Sequence, residues 1–343
     1  MKSLARTWRR LPGTARAGVI MLGVFLLIAI IGPEVAPYDP GVTTPLQAAP
    51  PSAQHLLGTT QTGQDVLSQL LVGVRLTLEL AFWVGLIATG LSVIVGVTAA
   101  YCGGLVDEFL SLMTNVFLVI PALPLLIVLL GFLSGTSSGG GQLPVIFVLS
   151  LLGWPWGARV IRAQALSIRS RDFIAAARET GERSGRIIAF DVIPNMISLI
   201  AASFVNTVLY AVGASVALAF IGLTDPNQWS LGTMLYWAEL GNALQIGAWW
   251  WYVPPGLAIA FLGTALVLLN TGIDELTNPR LRDARSVTKI ASRRVWATDP
   301  TPVIGAPGGH GGLAGFARSF SRKSLIDEAE VGAGNTEKAG ELS

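Results

Sequence analysis

The basic residues of this 343-residue chain fall in blocks, and the gaps between the blocks decide what it can fold into. Five lie in residues 1–16, seven between Arg159 and Arg186, and ten after residue 279, with Arg75 standing alone. The stretches 17–74, 76–158 and 187–279 hold no Lys or Arg at all. Such gaps, in a chain that is 52% hydrophobic and 13% charged, specify a multi-spanning membrane protein; a soluble domain carries about 25% charged residues.

A spanning helix needs about 20 mostly apolar residues. Six runs qualify, at about 17–36, 76–101, 109–133, 144–162, 196–222 and 254–274. Loops rich in Lys and Arg stay cytoplasmic. With a basic N-terminus inside, four spans return the Arg159–Arg186 loop to the inside, and two more do the same for the basic C-terminus. The expectation is an all-α polytopic membrane protein of six transmembrane helices with both termini cytoplasmic. The first span is the weakest, its short apolar core running from Ala17 to Ile31 and ending at Gly32-Pro33. A basic start before a short apolar run also fits a cleaved signal peptide, and Arg9-Arg10 a twin-arginine one; removing it would leave five spans and break the parity.

The outer loops are then 33–75, 134–143 and 223–253. The first carries Pro33, Pro37, Pro40, Pro45, Pro50 and Pro51 and is expected to be extended. An amphipathic piece from Val66 to Val74 follows it. The third holds Trp229, Trp237, Trp249, Trp250 and Trp251, read first as an interfacial belt and second as a stacking surface for substrate. Residues 296–343, rich in Gly and then basic (Arg318, Arg322, Lys323), read as a disordered tail, with contact to anionic lipid as the alternative.

Several chemistries are excluded or weakened. A net charge of +2 gives no excess for nucleic acid. Cys102 is the single cysteine, and His55 and His310 lie outside the apolar runs, which removes most metal sites and His-based catalysis in the membrane. No lysine occurs between Lys2 and Lys289, which argues against Ser–Lys chemistry and with it an intramembrane enzyme. A secondary transporter usually needs mid-membrane carboxylates, and this chain has almost none. Glu79 is an ionisable candidate, expected to pair with Arg75 one turn earlier. Ser203, Asn206 and Tyr210 could line a pathway or bond between helices. Ser138-Gly139-Gly140-Gly141-Gln142 resembles an ATPase signature, but without a Gly-x-x-x-x-Gly-Lys-Ser/Thr loop it reads as a turn.

The loop between spans four and five is organised differently from the others. Asp172 suits a helix N-cap, Ala175, Ala176 and Ala177 favour helix, and Gly181 suits the left-handed residue after a helix end. This spacing predicts a helix over 173–180, roughly 12 Å long, with Phe173, Ala176, Ala177 and Thr180 on one side. Arg178/Glu182 and Glu179/Arg183 could pair if the helix continued. An aromatic residue beside alanines suits a docking surface; a helix lying on its own membrane domain fits as well.

Ala176-Ala177, Gly181 and Ile193-Pro194 resemble the EAA loop of permease subunits of bacterial ABC importers. The wider resemblance, over most of residues 17–285, is to the C-type permease of the dipeptide/oligopeptide/nickel group. It rests on Ala36-Pro37-Tyr38-Asp39-Pro40, His55-Leu56-Leu57-Gly58-Thr59 with Gly63 and Asp65-Val66-Leu67-Ser68, and Gly103-Gly104-Leu105-Val106-Asp107. Further along come Ile221-Gly222-Leu223, Trp229-Ser230-Leu231-Gly232 with Met234-Leu235, Pro254 to Ile259, and Asn278-Pro279-Arg280-Leu281-Arg282. This chain departs from the pattern at Ala175, where the motif has glutamate, at Thr60 and Gln64, where charged residues are usual, and at Asp191, usually aliphatic.

The resemblance implies a type I ABC importer permease fold. It also implies a division into 1–75 (N-terminus, first helix and outer loop), a 76–285 core with its coupling loop at 163–193, and a 286–343 tail. Such a subunit is not an enzyme. It pairs with a second, homologous permease in the membrane lipid, docks two ATPase subunits that use ATP and Mg, and receives substrate from an extracytoplasmic peptide-binding protein. The implied coupling residues are Phe173, Ala175, Ala176, Ala177, Gly181 and Pro194, and the chain itself binds no cofactor. The group's substrates include dipeptides, longer peptides, nickel and oligosaccharides, and the lack of His in the spans weighs against a metal path.

Overall fold

The computed structural model describes residues 13–134 and 141–277. The C-terminal tail, the Asn278-to-Arg282 motif and Ser138–Gly140 lie outside the described residues. Among those described there is no strand, only an isolated bridge between Thr59 and Asp65. The helices are α1 (Gly13–Val35), α2 (Val66–Cys102), α3 (Gly104–Val119), α4 (Ala122–Ser134), α5 (Leu143–Arg169), α6 (Asp172–Glu179), α7 (Ser184–Ile187), α8 (Ile197–Phe220), α9 (Leu231–Leu240) and α10 (Trp249–Thr277).

Five helical segments are each long and apolar enough to cross a membrane: α1, α2, α5, the run from Ser184 to Phe220 that contains α8, and α10. The third expected span is broken. Its two halves, α3 and α4, meet at 89° and would together make a sixth crossing. The break follows from Pro121: it supplies no N–H and pushes the residue before it out of the helical region, and Ile120 has φ −67° and ψ 127°.

Other boundaries also shift. α2 starts at Val66, ten residues before the expected span, because the amphipathic piece continues directly into it. α5 runs on to Arg169 rather than stopping near 162. α1 continues through Gly32-Pro33 to Val35 and packs into the bundle, with Ala15, Phe25 and Ala29 buried. A Cβ on Gly18 would lie 2.6 Å from the Leu269 backbone nitrogen of α10.

The centre of the bundle is the α2–α5 pair, packed through small residues as membrane helices require. A Cβ on Gly96 would lie 2.7 Å from the Ala158 carbonyl oxygen, and Ser92 Oγ donates a 2.7 Å bond to the Trp154 carbonyl. Leu78, Ala81 and Val84 of α2 join Val148 and Leu149 of α5 and Val205, Val208 and Val212 of α8 in the main core.

At one end of the bundle, residues 36–65 form an irregular but tightly bonded cap. Asp65 caps α2 by accepting from Ser68 N (2.8 Å) and Ser68 Oγ (2.7 Å), and meets His55 Nδ1 at 2.8 Å. Tyr38 N donates to Ser68 Oγ (3.1 Å), and its ring lies 4.7 Å from that of His55. The motif pieces around Tyr38, His55 and Asp65 are thus one buried knot. Thr60 and Gln64 replace a charged pair with neutral bonds: Gln64 N donates to Thr60 Oγ1, and the Gln64 side chain takes up Gln69 Nε2 and reaches the Gly41 carbonyl.

The cap is locked to the helices that follow. α9 opens on a capping box between Ser230 and Thr233, and Leu231 N donates 3.1 Å to Thr77 Oγ1 of α2. Trp250 Nε1 donates 3.2 Å to the Thr59 carbonyl, past Gly58, whose φ of +71° and closeness to the Ala49 carbonyl exclude a side chain. Most of the tryptophans of the third loop are thus bonded or packed within the chain. Trp237 bonds the Pro226 carbonyl and Trp251 is buried, while Trp249 keeps an exposed position. The expected Arg75–Glu79 pair does not form either; both side chains are exposed, and the ion pairs among the described residues lie elsewhere.

Candidate functional site

The α5–α8 loop begins where Ser170 ends α5 and Arg171 turns extended (φ −80°, ψ 146°), so Arg171, not Asp172, holds the N-cap position of α6. Asp172 sits in the first turn instead, where its carboxylate faces the positive end of the helix dipole. α6 ends at Glu179. Gly181 follows with φ +80°, the left-handed geometry expected of it, and Glu182 N closes the turn on the Ala177 carbonyl at 3.1 Å. Because the helix stops there, the pairs Arg178/Glu182 and Glu179/Arg183 give way to Glu182–Arg186 at 3.5 Å.

The two faces of α6 are chemically distinct. Ile174 is fully buried, and with Ala177 it packs on Val97 and Ala100 of α2 and Ile161, Ala165 and Ile168 of α5. The Arg178 guanidinium lies 4.9 Å above the Tyr101 ring. On the other side Phe173 is 47% exposed, and Ala175, Ala176 and Thr180 are open to solvent. Ala177, expected on this outward face, is turned to the bundle. Phe173 stands at the edge of a groove of about 570 Å³ shared with Gln164, Ile168, Arg171, Asp172 and Asn195. The helix is both seated on its own domain and open to a partner.

Beyond α7 the backbone changes pitch. Ile193 N bonds the Ile188 carbonyl, five residues back, at 3.0 Å, and Pro194 opens a short 3₁₀ turn before α8. Pro194 is exposed and stands where the missing N–H would otherwise continue a regular helix.

The polar candidates on α8 separate. Ser203 is 7% exposed and sits within the bundle. Asn206 is exposed and accepts a 3.4 Å bond from Asn270 of α10. Tyr210 is half-buried against Gly153 of α5. Two features were not anticipated from sequence. Arg162 forms a two-pronged pair with Asp107, both bonds 2.6 Å, and Arg159 donates 2.7 Å to Asn115 Oδ1. The available signal was the helical spacing of Arg159, Arg162 and Arg169 together with Asp107 in a quoted motif.

Residues 92–283, which span α6 and its seat, match the family described as the binding-protein-dependent transport system inner membrane component. The chain belongs to this family. Related inner membrane components include the dipeptide transport system permease protein of Bacillus subtilis, 31% identical over 80% of this chain and 85% of that one. The oligopeptide transport system permease protein of Mycobacterium bovis is 30% identical over 79% and 92%, and that of Bacillus subtilis 27% identical over 78% and 86%. A solved structure, the inward-facing MetNI methionine ABC transporter, aligns at 21% identity and a TM-score of 0.44 over 58% of this inner membrane component and 96% of that chain.

Proposed function

We propose that this inner membrane component forms, with a second permease, the path by which an ATP-driven importer takes up di- and oligopeptides. Its relatives are named for peptide transport. The α6 loop and both termini lie in the cytoplasm, where the basic blocks put them. Two separate ATPase subunits bind α6 and hydrolyse ATP with Mg; this chain performs no chemistry. An extracytoplasmic peptide-binding protein delivers substrate at the opposite, capped end. The core and its coupling loop, 163–193, move as the ATPases close. The alternation is a rigid-body rearrangement.

The observation that carries this reading is the two-faced α6. Ile174 ties it to the ends of α2 and α5 while Phe173 and Ala176 face outward. Force applied to the outward face reaches two spans through one apolar anchor. Ala175 lies on that outward face, so the side chain lost there would have pointed at the partner.

The test replaces Gly181, whose left-handed conformation costs another residue about 1–2 kcal/mol. In proteoliposomes holding all subunits, Gly181→Val is expected to insert normally and leave ATP hydrolysis running, while uptake of a labelled dipeptide falls about ten-fold. Undiminished uptake would remove the coupling role from this loop.

A further inference from the structure

The break between α3 and α4 is open on the surface of the chain: Ile120 is 37% exposed and Pro121 is exposed beside it. Non-helical backbone at membrane depth is tolerated where protein buries it or where it borders water, not where it meets lipid. The open face of α3 therefore turns toward a second subunit or an aqueous path. Asn115 lies on this helix, five residues before the break, or about 7.5 Å along the axis.

Asn115 Oδ1 accepts a bond from Arg159 Nη2 of α5. One turn further on, Arg162 is neutralised by Asp107. Arg159 has no carboxylate partner among the described residues; its one bonded side chain is a neutral amide. Arg159, Arg162 and Asn115 line a cavity of about 160 Å³ with Ser111 and Thr114. Ser111 Oγ donates to Asp107 and Thr114 Oγ1 to the Leu110 carbonyl, so both hydroxyl oxygens remain as acceptors. Arg159 is exposed, toward the α6 end of α5, so water or an anion can reach it, and its planar fork matches a carboxylate.

We propose that this cavity is a subsite for the terminal carboxylate of the transported peptide. Arg159 supplies the charge and its free N–H donors, Asn115 holds the guanidinium in place, and the Ser111 and Thr114 oxygens accept from peptide N–H groups. The assignment rests on the peptide-import reading above, and it extends the path to a surface of α3 and α5.

The experiment uses the complete importer in proteoliposomes and compares uptake of one dipeptide with that of its C-terminal amide. The binding protein's own preference is common to wild type and variant, so a change in the acid-to-amide ratio reports on the permease. Arg159→Gln is expected to lower that ratio about ten-fold, the size of one charge-assisted bond. Asn115→Asp, which sets a built-in carboxylate against Arg159, is expected to lower it as well, and Arg159→Lys to restore part of it. Equal losses for acid and amide would reduce Arg159 to a structural role and overturn the proposal. So would an unchanged ratio accompanied by loss of co-purified anionic phospholipid, which would make the cavity a headgroup site. Failure of the wild-type assembly to import any peptide would instead overturn the import reading on which the subsite rests.

Discussion

The two ends of this bundle are held by different kinds of contact. At the capped end, hydrogen bonds join residues far apart in the chain: Leu231 to Thr77, Trp250 to Thr59, Tyr38 to Ser68 and Gln69 to Pro40. At the α6 end the backbone bonds of α6 are local, and the helix is held by the burial of Ile174 on two neighbouring helices with Arg178 on Tyr101; the cross-chain bonds there, Arg169 to the Ala100 carbonyl and Arg162 to Asp107, join α5 to α2 and α3 instead. Directional bonds across the chain fix the cap in one arrangement. An apolar seat permits sliding and tilting at little cost, because dispersion and burial are not directional. On the import reading proposed above, the chain is stiff where substrate is delivered and movable where force arrives.

The largest effect should come from breaking the stiff end. Asp65 is 1% exposed and accepts from Ser68 twice while meeting His55. Asp65→Ala leaves buried donors unpaired and uncaps α2, for a loss of about 3 kcal/mol. The expected result is a clearly lowered thermal midpoint of the purified chain in detergent, with protease cleavage appearing in 36–65. A midpoint unmoved by this change would mean that the cap is not the rigid region.

A smaller and local effect should follow at the movable end. Ile174→Ala removes a fully buried side chain and is expected to cost about 2–3 kcal/mol. Because the seat is local, amide exchange should rise over 172–179 and leave 36–65 unchanged. ATP hydrolysis should continue while uptake drops, since the anchor that passes the motion on is loosened. If exchange rose over 36–65 as well, the contrast between the two ends would collapse.

Much of this contrast could be read from sequence, and the rest could not, for identifiable reasons. The spans were legible because lipid demands long apolar runs, and α6 was legible because alanines and Gly181 are local signals. The third span was misread as straight. An apolar run reports length and says nothing of axis direction, although Ile120-Pro121 carried the hint. The end of α5 was placed too early because arginines look like loop. Here their charges are met by other helices, through Asn115, Asp107 and the Ala100 carbonyl, and no spacing along one segment reveals such partners. The packing of the tryptophans was hidden for the same reason: Trp250 bonds Thr59, 191 residues away. Asp172 was a near miss, since capping is decided by the φ and ψ of Arg171 rather than by which side chain is able to cap.

The sharpest separation of seat from docking face comes from the variant with the smallest effect on stability. Phe173 neighbours Ile174 in sequence, yet it is 47% exposed where Ile174 is fully buried. Phe173→Ala should shift stability by under about 0.5 kcal/mol, as surface changes do. An exposed aromatic beside small residues is the usual form of an interface anchor, and truncating one typically costs more than about 1 kcal/mol of binding. The expected outcome is an unchanged thermal midpoint together with about ten-fold weaker retention of the ATPase subunits, measured by titrating them onto the detergent-solubilised permease pair. Paired with Ile174→Ala, it distinguishes a lever that has lost its seat from one that has lost its grip. Wild-type retention of the ATPases in Phe173→Ala would put the docking contact elsewhere on the loop, in the groove that Phe173 shares with Arg171 and Asn195.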